Sequence, residues 1–200
     1  MEMETENELR NLFVAICQRA FQMGLQRSTG GNLSLRLGPN RLLVKPSGFS
    51  LLDLEPHHIL LCDDQGLILE GQGKPTKELI SHLTIYRVRP EVRGIAHYHP
   101  PYATAFAAVR KPLPLLTVQA MRILERVPLV EPVGEGSPQL AEALGEVFKE
   151  PAVKAALLAE HGIIAVGKDL TQAQNLAELV EESAQVAYLA KGLQHASVSV

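Results

Sequence analysis

The stretch GIAHYHPPYATAF, residues 94–106, combines a short apolar run, two histidines and a pair of prolines. Such a run is typical of a buried β-strand, whose residues pack against both faces of a sheet. Pro100 and Pro101 end the strand, because proline has no backbone N–H to donate to a neighbouring strand. Residues 102–109 then favour a helix. The stretch therefore predicts a core strand that ends at a sheet edge, where clefts open.

The sequence on either side shows both strand and helix patterns. Strands are predicted in LSLRL and RLLVK, in the hairpin ILLCD–LILEG, in PLVEP and in AALLAEHGIIAVG. Helical spacing of apolar residues predicts helices over residues 9–23, 76–88, 139–149 and 171–191, and proline-rich residues 111–138 are predicted to be irregular outside PLVEP. Helices at both ends and a sheet built partly of hairpins indicate an α/β fold whose mixed sheet is covered on both faces.

Length and composition limit the class of protein. The chain has 200 residues, 46% hydrophobic and 20% charged, with a formal net charge of −3. We predict one domain over residues 1–192 and a disordered tail over 193–200. The sequence has no basic run for nucleic acid, no apolar run of the ~20 residues that span a bilayer, and no signal-peptide pattern. We therefore predict a cytoplasmic protein without nucleic-acid or membrane partners, with Cys17 and Cys62 as isolated buried thiols.

His97 and His99 are candidate metal ligands. They lie two residues apart on the predicted strand, so alternation places both imidazoles on the same face of the sheet. Zinc binds imidazole nitrogens at about 2.0–2.1 Å from donors that converge on one point, and an H-x-H strand offers two of these donors. The alternative interpretation is a pair of interfacial histidines near a strand end.

His161 lies at the end of the other predicted core strand, directly before Gly162. Taken alone it is also compatible with an ordinary turn histidine. Together with His97 and His99 it completes a set of three imidazoles at strand ends. Three neutral imidazoles leave a fourth position open, which is the arrangement of a catalytic zinc rather than a structural one.

Glu78 is the candidate acid/base, with two interpretations. It lies at the start of the predicted helix 76–88, where a carboxylate favours the helix dipole and Thr76 could cap the first turn. It could instead stand beside the metal and transfer protons. His82, one turn later, is predicted to be structural support.

Three turns could bind a phosphate through backbone N–H groups and polar side chains: Gly31-Asn32, Ser47-Gly48 and Thr76-Lys77. None of the three matches a Walker A or dinucleotide fingerprint, so each is equally compatible with a plain turn.

Read in order, TGGNLSLR, VKPSGF, EGQGKPTKELISH, GIAHYHPPYATAF and AEHGIIAVGKDL resemble the class II aldolase/adducin family over about residues 9–192. The resemblance implies a three-layer α/β/α sandwich with a central mixed, largely antiparallel sheet. It also implies a homotetramer with sites between neighbouring subunits. His97, His99 and His161 would hold zinc or another divalent metal, and Glu78 would be the catalytic acidic residue. The phosphate-binding positions would be Gly31, Asn32, Ser47, Gly48, Thr76 and Lys77, where Lys77 replaces the family's usual serine.

By this resemblance we expect a lyase that cleaves a ketose 1-phosphate, such as L-fuculose 1-phosphate, to dihydroxyacetone phosphate and an aldehyde through a metal-stabilised enediolate. The alternatives are an L-ribulose-5-phosphate 4-epimerase, another sugar-phosphate lyase, or a non-catalytic adducin-like binding domain. Met121 stands where the epimerase has an acidic residue, and Thr117 stands where the aldolase has a tyrosine. Tyr188 lies too early to match the C-terminal tyrosine, so the second acid/base stays open.

Overall fold

The computed structural model describes residues 5–131 and 134–195, apart from the side chain of His195. The helices of these residues are α1 (Glu6–Gln22), α2 (Leu79–Val88), α3 (Pro101–Ala108), α4 (Val118–Leu124), α5 (Pro138–Phe148) and α6 (Leu170–His195). The strands are β1 (Asn32–Gly38), β2 (Arg41–Val44), β3 (Leu60–Cys62), β4 (Ile68–Glu70), β5 (Gly94–Tyr98), β6 (Leu129–Val130), β7 (Ala155–Leu158) and β8 (Gly162–Gly167). A short 3₁₀ turn, Pro56–His58, precedes β3.

The strands form one sheet in the order β4-β3-β2-β1-β5-β8-β7-β6. Neighbouring strands pair antiparallel except β6 and β7, which are parallel. The strand predicted from GIAHYH is β5, and it lies in the middle of the sheet between β1 and β8. The mixed, largely antiparallel sheet is therefore confirmed.

Helices cover both faces of the sheet, because successive strand residues point to opposite faces and both sets are apolar. Leu33 and Leu35 of β1 belong to the core that α1, α3, α4 and α6 form on one face. Leu42 and Val44 of β2 belong to the core that α2 and α5 form on the other face. This arrangement confirms the three-layer α/β/α sandwich.

The helix predicted from Thr76 begins at Leu79, three residues later. Pro75 forms an isolated bridge with Pro46, which keeps this part of the chain extended. The hydroxyl of Thr76 accepts a hydrogen bond from the backbone N–H of Glu78 at 3.3 Å, which closes a turn before the helix. The prediction of the helix start was therefore wrong, and Glu78 is the residue that precedes the first turn.

Helix α4 lies within the segment predicted to be irregular. Thr117 caps it, since its hydroxyl accepts from the backbone N–H of Ala120 at 3.2 Å. Ala120 and Leu124 are buried in the same core as α1, α3 and α6. The prediction was wrong here because the flanking prolines dominate the pattern, while the helix depends on burial of one short apolar face.

Helix α6 continues to His195, so the first three residues of the predicted tail are helical, and residues 196–200 lie outside the described part of the chain. Within residues 5–131 and 134–195, none of the helices combines the length and the apolar character that crossing a membrane requires. Cys17 and Cys62 are buried free thiols, as predicted.

Candidate metal centre and active site

The three predicted ligand histidines converge. The Nε2 atoms of His97 and His99 lie 3.0 Å apart, which confirms that both imidazoles leave the same face of the strand. The ring of His161 lies 4.6 Å from that of His97 and 4.9 Å from that of His99, centroid to centroid. One nitrogen from each ring lies within 4.8 Å of the others, a spacing that one metal ion can bridge.

Pairing of β5 with β8 brings His161 to the other two histidines. His161 occupies the tight turn from β7 into β8, directly after Glu160, which has a left-handed φ of 60°. Gly162 follows, and a Cβ atom there would overlap the carbonyl oxygen of Tyr98 and lie 2.6 Å from Cδ2 of His99. Glycine therefore lets the turn approach β5 closely enough for His161 to face His99.

Replacing Gly162 with alanine is expected to lower the affinity of the three histidines for a divalent metal about 10- to 100-fold, the range found when groups that orient metal ligands are changed. The added methyl would push the His161 turn away from His99. Calorimetric zinc titration measures the effect, with Gly192→Ala as control because a Cβ at Gly192 has open space. Equal zinc affinity in the Gly162 variant and the wild type would contradict this account.

The surroundings of His97 and His99 favour the neutral form of the imidazole, which is the form that binds metals. Burial, and then the neighbouring His99 and His161, hold the pKa of His97 well below its usual value. Burial, and then His161, also lower the pKa of His99. The Nδ1 of His97 donates to the carbonyl oxygen of Ile163 at 2.8 Å, which leaves Nε2 free to face the other rings. The Nε2 of His161 is buried and has no hydrogen-bond partner among the described residues, as expected of a ligand atom. The donor set therefore fits a divalent metal.

The carboxylate of Glu78 faces this centre and does not cap its helix. One oxygen, Oε2, accepts from Nδ2 of Asn32 at 2.6 Å and lies 3.2 Å from Nε2 of His97. The other oxygen lies 3.7 Å from Nε2 of His161. Asn32 is the register partner of His97 across β1 and β5, so the sheet sets both residues side by side. Of the two interpretations of Glu78, this geometry favours the one in which it acts at the metal centre.

Two of the predicted phosphate turns lie next to each other. Pro46 bridges to Pro75, and the backbone N–H of Ser47 donates to the carbonyl of Lys74 at 2.8 Å. The Ser47-Gly48 turn is thereby joined to the Thr76-Lys77 turn, close to Glu78. Ser47, Gly48 and Lys77 are exposed to solvent.

The third turn is joined to these through Lys45, which pattern analysis missed. The ammonium of this buried side chain donates to the carbonyl of Thr29 at 3.2 Å and to that of Pro46 at 3.4 Å. Burial lowers the pKa of Lys45. Gly31, at the end of the same turn, has a left-handed φ of 67°. The position of Lys45 directly before the PSG turn was the sequence feature that could have indicated a role at this turn.

Glu135 was also missed. Its carboxylate lies within 4.8 Å of ligand atoms of Glu78 and His161, and its loop reaches the site because Gly136 packs against the backbone of Lys77. Glu135 lies far along the chain from the other site residues, so no sequence spacing predicts that it reaches them.

A sequence profile described as Class II Aldolase and Adducin N-terminal domain matches residues 11–188. The chain belongs to the class II aldolase and adducin family. An L-fuculose phosphate aldolase of Methanococcus maripaludis is 35% identical over 91% of this chain and 97% of its own. A 3-oxo-tetronate 4-phosphate decarboxylase of Haemophilus influenzae is 33% identical over 94% of this chain and 90% of its own chain.

The solved structures agree with this family assignment. The crystal structure of L-fuculose-1-phosphate aldolase from Thermus thermophilus superposes with a TM-score of 0.85 at 29% identity, covering 96% of this chain and 98% of that one. Together with the named relatives, the family identifies the protein as an enzyme of the lyase type.

Proposed function

We propose that this protein is a zinc-dependent aldolase that cleaves a ketose 1-phosphate, such as L-fuculose 1-phosphate, to dihydroxyacetone phosphate and an aldehyde. The observation that carries the proposal is the position of Glu78. Its carboxylate stands 3.2 Å from His97, beside three convergent imidazoles. The aldolases among the family relatives support the substrate class.

Three residues would hold the metal: His97, His99 and His161. Neutral imidazoles suit zinc, and three protein ligands leave a coordination position for substrate. When bound, the ion would supply positive charge that stabilises the negative charge developing on the oxygens next to the broken bond.

Glu78 would supply the proton that completes cleavage. The C3–C4 bond breaks with its electron pair remaining on C3, while the C4 hydroxyl passes its proton to a water molecule and C4 leaves as the aldehyde. Glu78, which has taken up a proton from solvent, then gives that proton to C3 of the enediolate, which forms dihydroxyacetone phosphate and returns Glu78 to the carboxylate. The hydrogen bond from Asn32 holds the carboxylate in place for this transfer, at 2.6 Å.

The three joined turns would bind the phosphate through their polar side chains, including that of Lys77, and through backbone N–H groups other than that of Ser47, which donates to Lys74. The residues assigned to this role are Gly31, Asn32, Ser47, Gly48, Thr76 and Lys77. In the structure the amide of Asn32 donates to Glu78, so Asn32 would link the phosphate turn to the acid/base.

Replacing Lys45 with methionine is expected to raise the KM for a phosphorylated substrate about 10- to 100-fold, because Lys45 holds the turns together. The substitution removes hydrogen bonds from a charged group, worth ~1.5–3 kcal/mol, and ~1.4 kcal/mol corresponds to a factor of ten. Steady-state kinetics measures this change, and the exposed Lys149, paired with Glu146, provides the control Lys149→Met. An unchanged KM would show that Lys45 has no part in phosphate binding.

A decarboxylase is the second candidate, and the Haemophilus influenzae relative favours it. Loss of CO₂ from the carbon next to a ketone also leaves an enediolate that Glu78 could protonate. The two reactions therefore need the same centre and differ in the group that leaves.

The test is an assay for dihydroxyacetone phosphate with chelator-stripped protein, with and without added zinc. L-Fuculose 1-phosphate and 3-oxo-tetronate 4-phosphate are compared as substrates. Zinc-dependent release from the first substrate is expected. Release from the second substrate alone would replace the aldolase with the decarboxylase, and release from neither would overturn both.

We also propose the homotetramer that the family resemblance implies. An apolar groove between α3 and the end of α6 supports it, because the groove exposes Val109, Tyr188 and Leu193. Light scattering is expected to give the tetramer mass, and the mass of a monomer would contradict the proposal.

A further inference from the structure

Strand β1 and helix α2 meet along a row of polar side chains, here called the β1–α2 ladder. Three members, each two residues from the next, lie on β1, and three members, each four residues from the next, lie on α2 or directly before it. The members are Asn32, Ser34 and Arg36 on β1, and Glu78, His82 and Tyr86 on or directly before α2. Asn32 and Glu78 form the end at the metal centre.

The distance between successive ladder members is nearly the same on the strand and on the helix, so contacts can recur along both elements. Two residues of a strand advance about 6.6 Å, and four residues of a helix advance about 6.0 Å. Because every second strand residue and every fourth helix residue keep to one face, each step along β1 meets the next step along α2. The contacts run Asn32–Glu78, Ser34–His82 and Arg36–Tyr86.

The middle of the ladder is buried and hydrogen-bonded. The hydroxyl of Ser34 lies 2.7 Å from Nδ1 of His82 and 2.9 Å from the hydroxyl of Tyr86. The Tyr86 hydroxyl also donates toward the carbonyls of Ser34, at 3.1 Å, and Arg93, at 3.2 Å. Ser34, His82 and Tyr86 are all at most 5% exposed, so these bonds are not replaced by water.

The far end of the ladder is held by Arg36. Its guanidinium lies over the ring of Tyr86, 4.4 Å from the centroid, and its Nη2 donates to the backbone carbonyl of Tyr86 at 2.6 Å. Arg36 also donates to the carbonyl of Pro90 at 3.1 Å, just beyond the helix. Both ends of α2 are therefore tied to the same strand.

We infer that the β1–α2 ladder positions the carboxylate of Glu78, with Ser34 and His82 as positioning residues. Helix α2 has no side-chain cap at its N-terminus, so local capping does not hold Glu78 in place. Glu78 shares its helix face with His82, and Asn32 shares its strand face with Ser34. A shift of α2 along β1 would therefore change the 2.6 Å contact between Asn32 and Glu78. This inference rests on the proposed role of Glu78 as the proton donor.

The test is proton exchange at C3 of dihydroxyacetone phosphate in D₂O, followed by NMR with the zinc-loaded protein. This exchange needs Glu78 and the metal but no aldehyde or CO₂, so the identity of the leaving group does not affect it. Ser34→Ala is expected to slow kcat of exchange about tenfold, with KM and bound zinc unchanged. Ser183→Ala is the matched control, because Ser183 is also buried and donates a single hydrogen bond, to Leu179, within α6.

Two further variants separate positioning from folding. His82→Leu keeps the size but removes the bond to Ser34, and is expected to slow exchange about tenfold. His82→Asn keeps a polar atom near the place of Nδ1 and is expected to restore most of the rate. In the Glu78→Gln background, Ser34→Ala is expected to cause no further loss, because there is no proton donor left to position.

The outcomes of these measurements distinguish failure of the proposed function from failure of the β1–α2 ladder. No exchange by the wild type would overturn the proposed function, and with it the role of the ladder. Wild-type exchange that persists in both Ser34→Ala and His82→Leu would overturn the ladder alone. An additive loss in the Glu78→Gln background, or failure of asparagine to restore the rate, would show a merely structural role and would also overturn it.

Discussion

Replacing Glu78 with glutamine is expected to lower turnover about 10²- to 10⁴-fold, the usual contribution of a positioned general acid/base. Glutamine has nearly the same shape, and its amide oxygen can still accept the hydrogen bond that Asn32 donates at 2.6 Å. The geometry of the site should therefore survive while the transferable proton is lost. The steady-state cleavage rate measures the loss of proton transfer, and the zinc content of the same samples shows whether the site geometry survives.

The matched control for this variant is Glu146→Gln on α5. Glu146 is an exposed glutamate that pairs with Lys149 on the protein surface. Its replacement by glutamine should leave turnover within a factor of two, because Glu146 contacts none of the site residues named above. The lost ion pair should also leave the protein folded, since exposed pairs contribute at most about 1 kcal/mol to stability. Near-normal turnover in Glu78→Gln would remove Glu78 from the mechanism, and loss of zinc would reassign it as a metal ligand.

Replacing His99 with alanine is expected to abolish stoichiometric zinc binding and to lower turnover at least about 10³-fold, because a catalytic metal contributes several kcal/mol. His99 is the better choice among the ligands for a test that keeps the fold. It lies just beyond β5 and is only half-buried, whereas His97 is 1% exposed and bonded to the carbonyl of Ile163.

Metal analysis after dialysis measures the zinc content of the His99 variant, and circular dichroism checks that it remains folded. The backbone N–H of His99 donates to Oε1 of Gln26 at 3.0 Å, and this bond does not depend on the imidazole. His57→Ala is the control, because the His57 side chain is 69% exposed. Full zinc occupancy in the His99 variant would contradict the ligand assignment.

Local sequence patterns were sufficient for much of the fold and part of the site. The two-residue spacing of His97 and His99 predicts a shared face, because alternation is a property of any strand, and their Nε2 atoms do lie 3.0 Å apart. Prolines mark the end of β5 for an equally local reason, since they lack the N–H that a sheet requires. The three-layer sandwich came from the family resemblance and is confirmed.

Other site features could not be predicted because they depend on contacts between distant segments. Lys45 joins the turns at Thr29 and Pro46 only after β1 and β2 have paired. Glu135 reaches Glu78 only because the loop before α5 packs against Lys77. The sequence places Lys45 directly before the PSG turn but does not show which other turn it contacts, and Glu135 carries no spacing that would separate it from an ordinary surface glutamate.

The local sequence around Glu78 predicts its position but not its role. Its position before a helix is readable from the residues around it, and that position alone is compatible with both a helix cap and an acid/base. The choice depends on the register of β1 against β5, which sets Asn32 beside His97, and on the packing of α2 along β1. Backbone geometry determines which residues share a face of one element, whereas the pairing of two faces depends on burial and hydrogen bonding across the whole core.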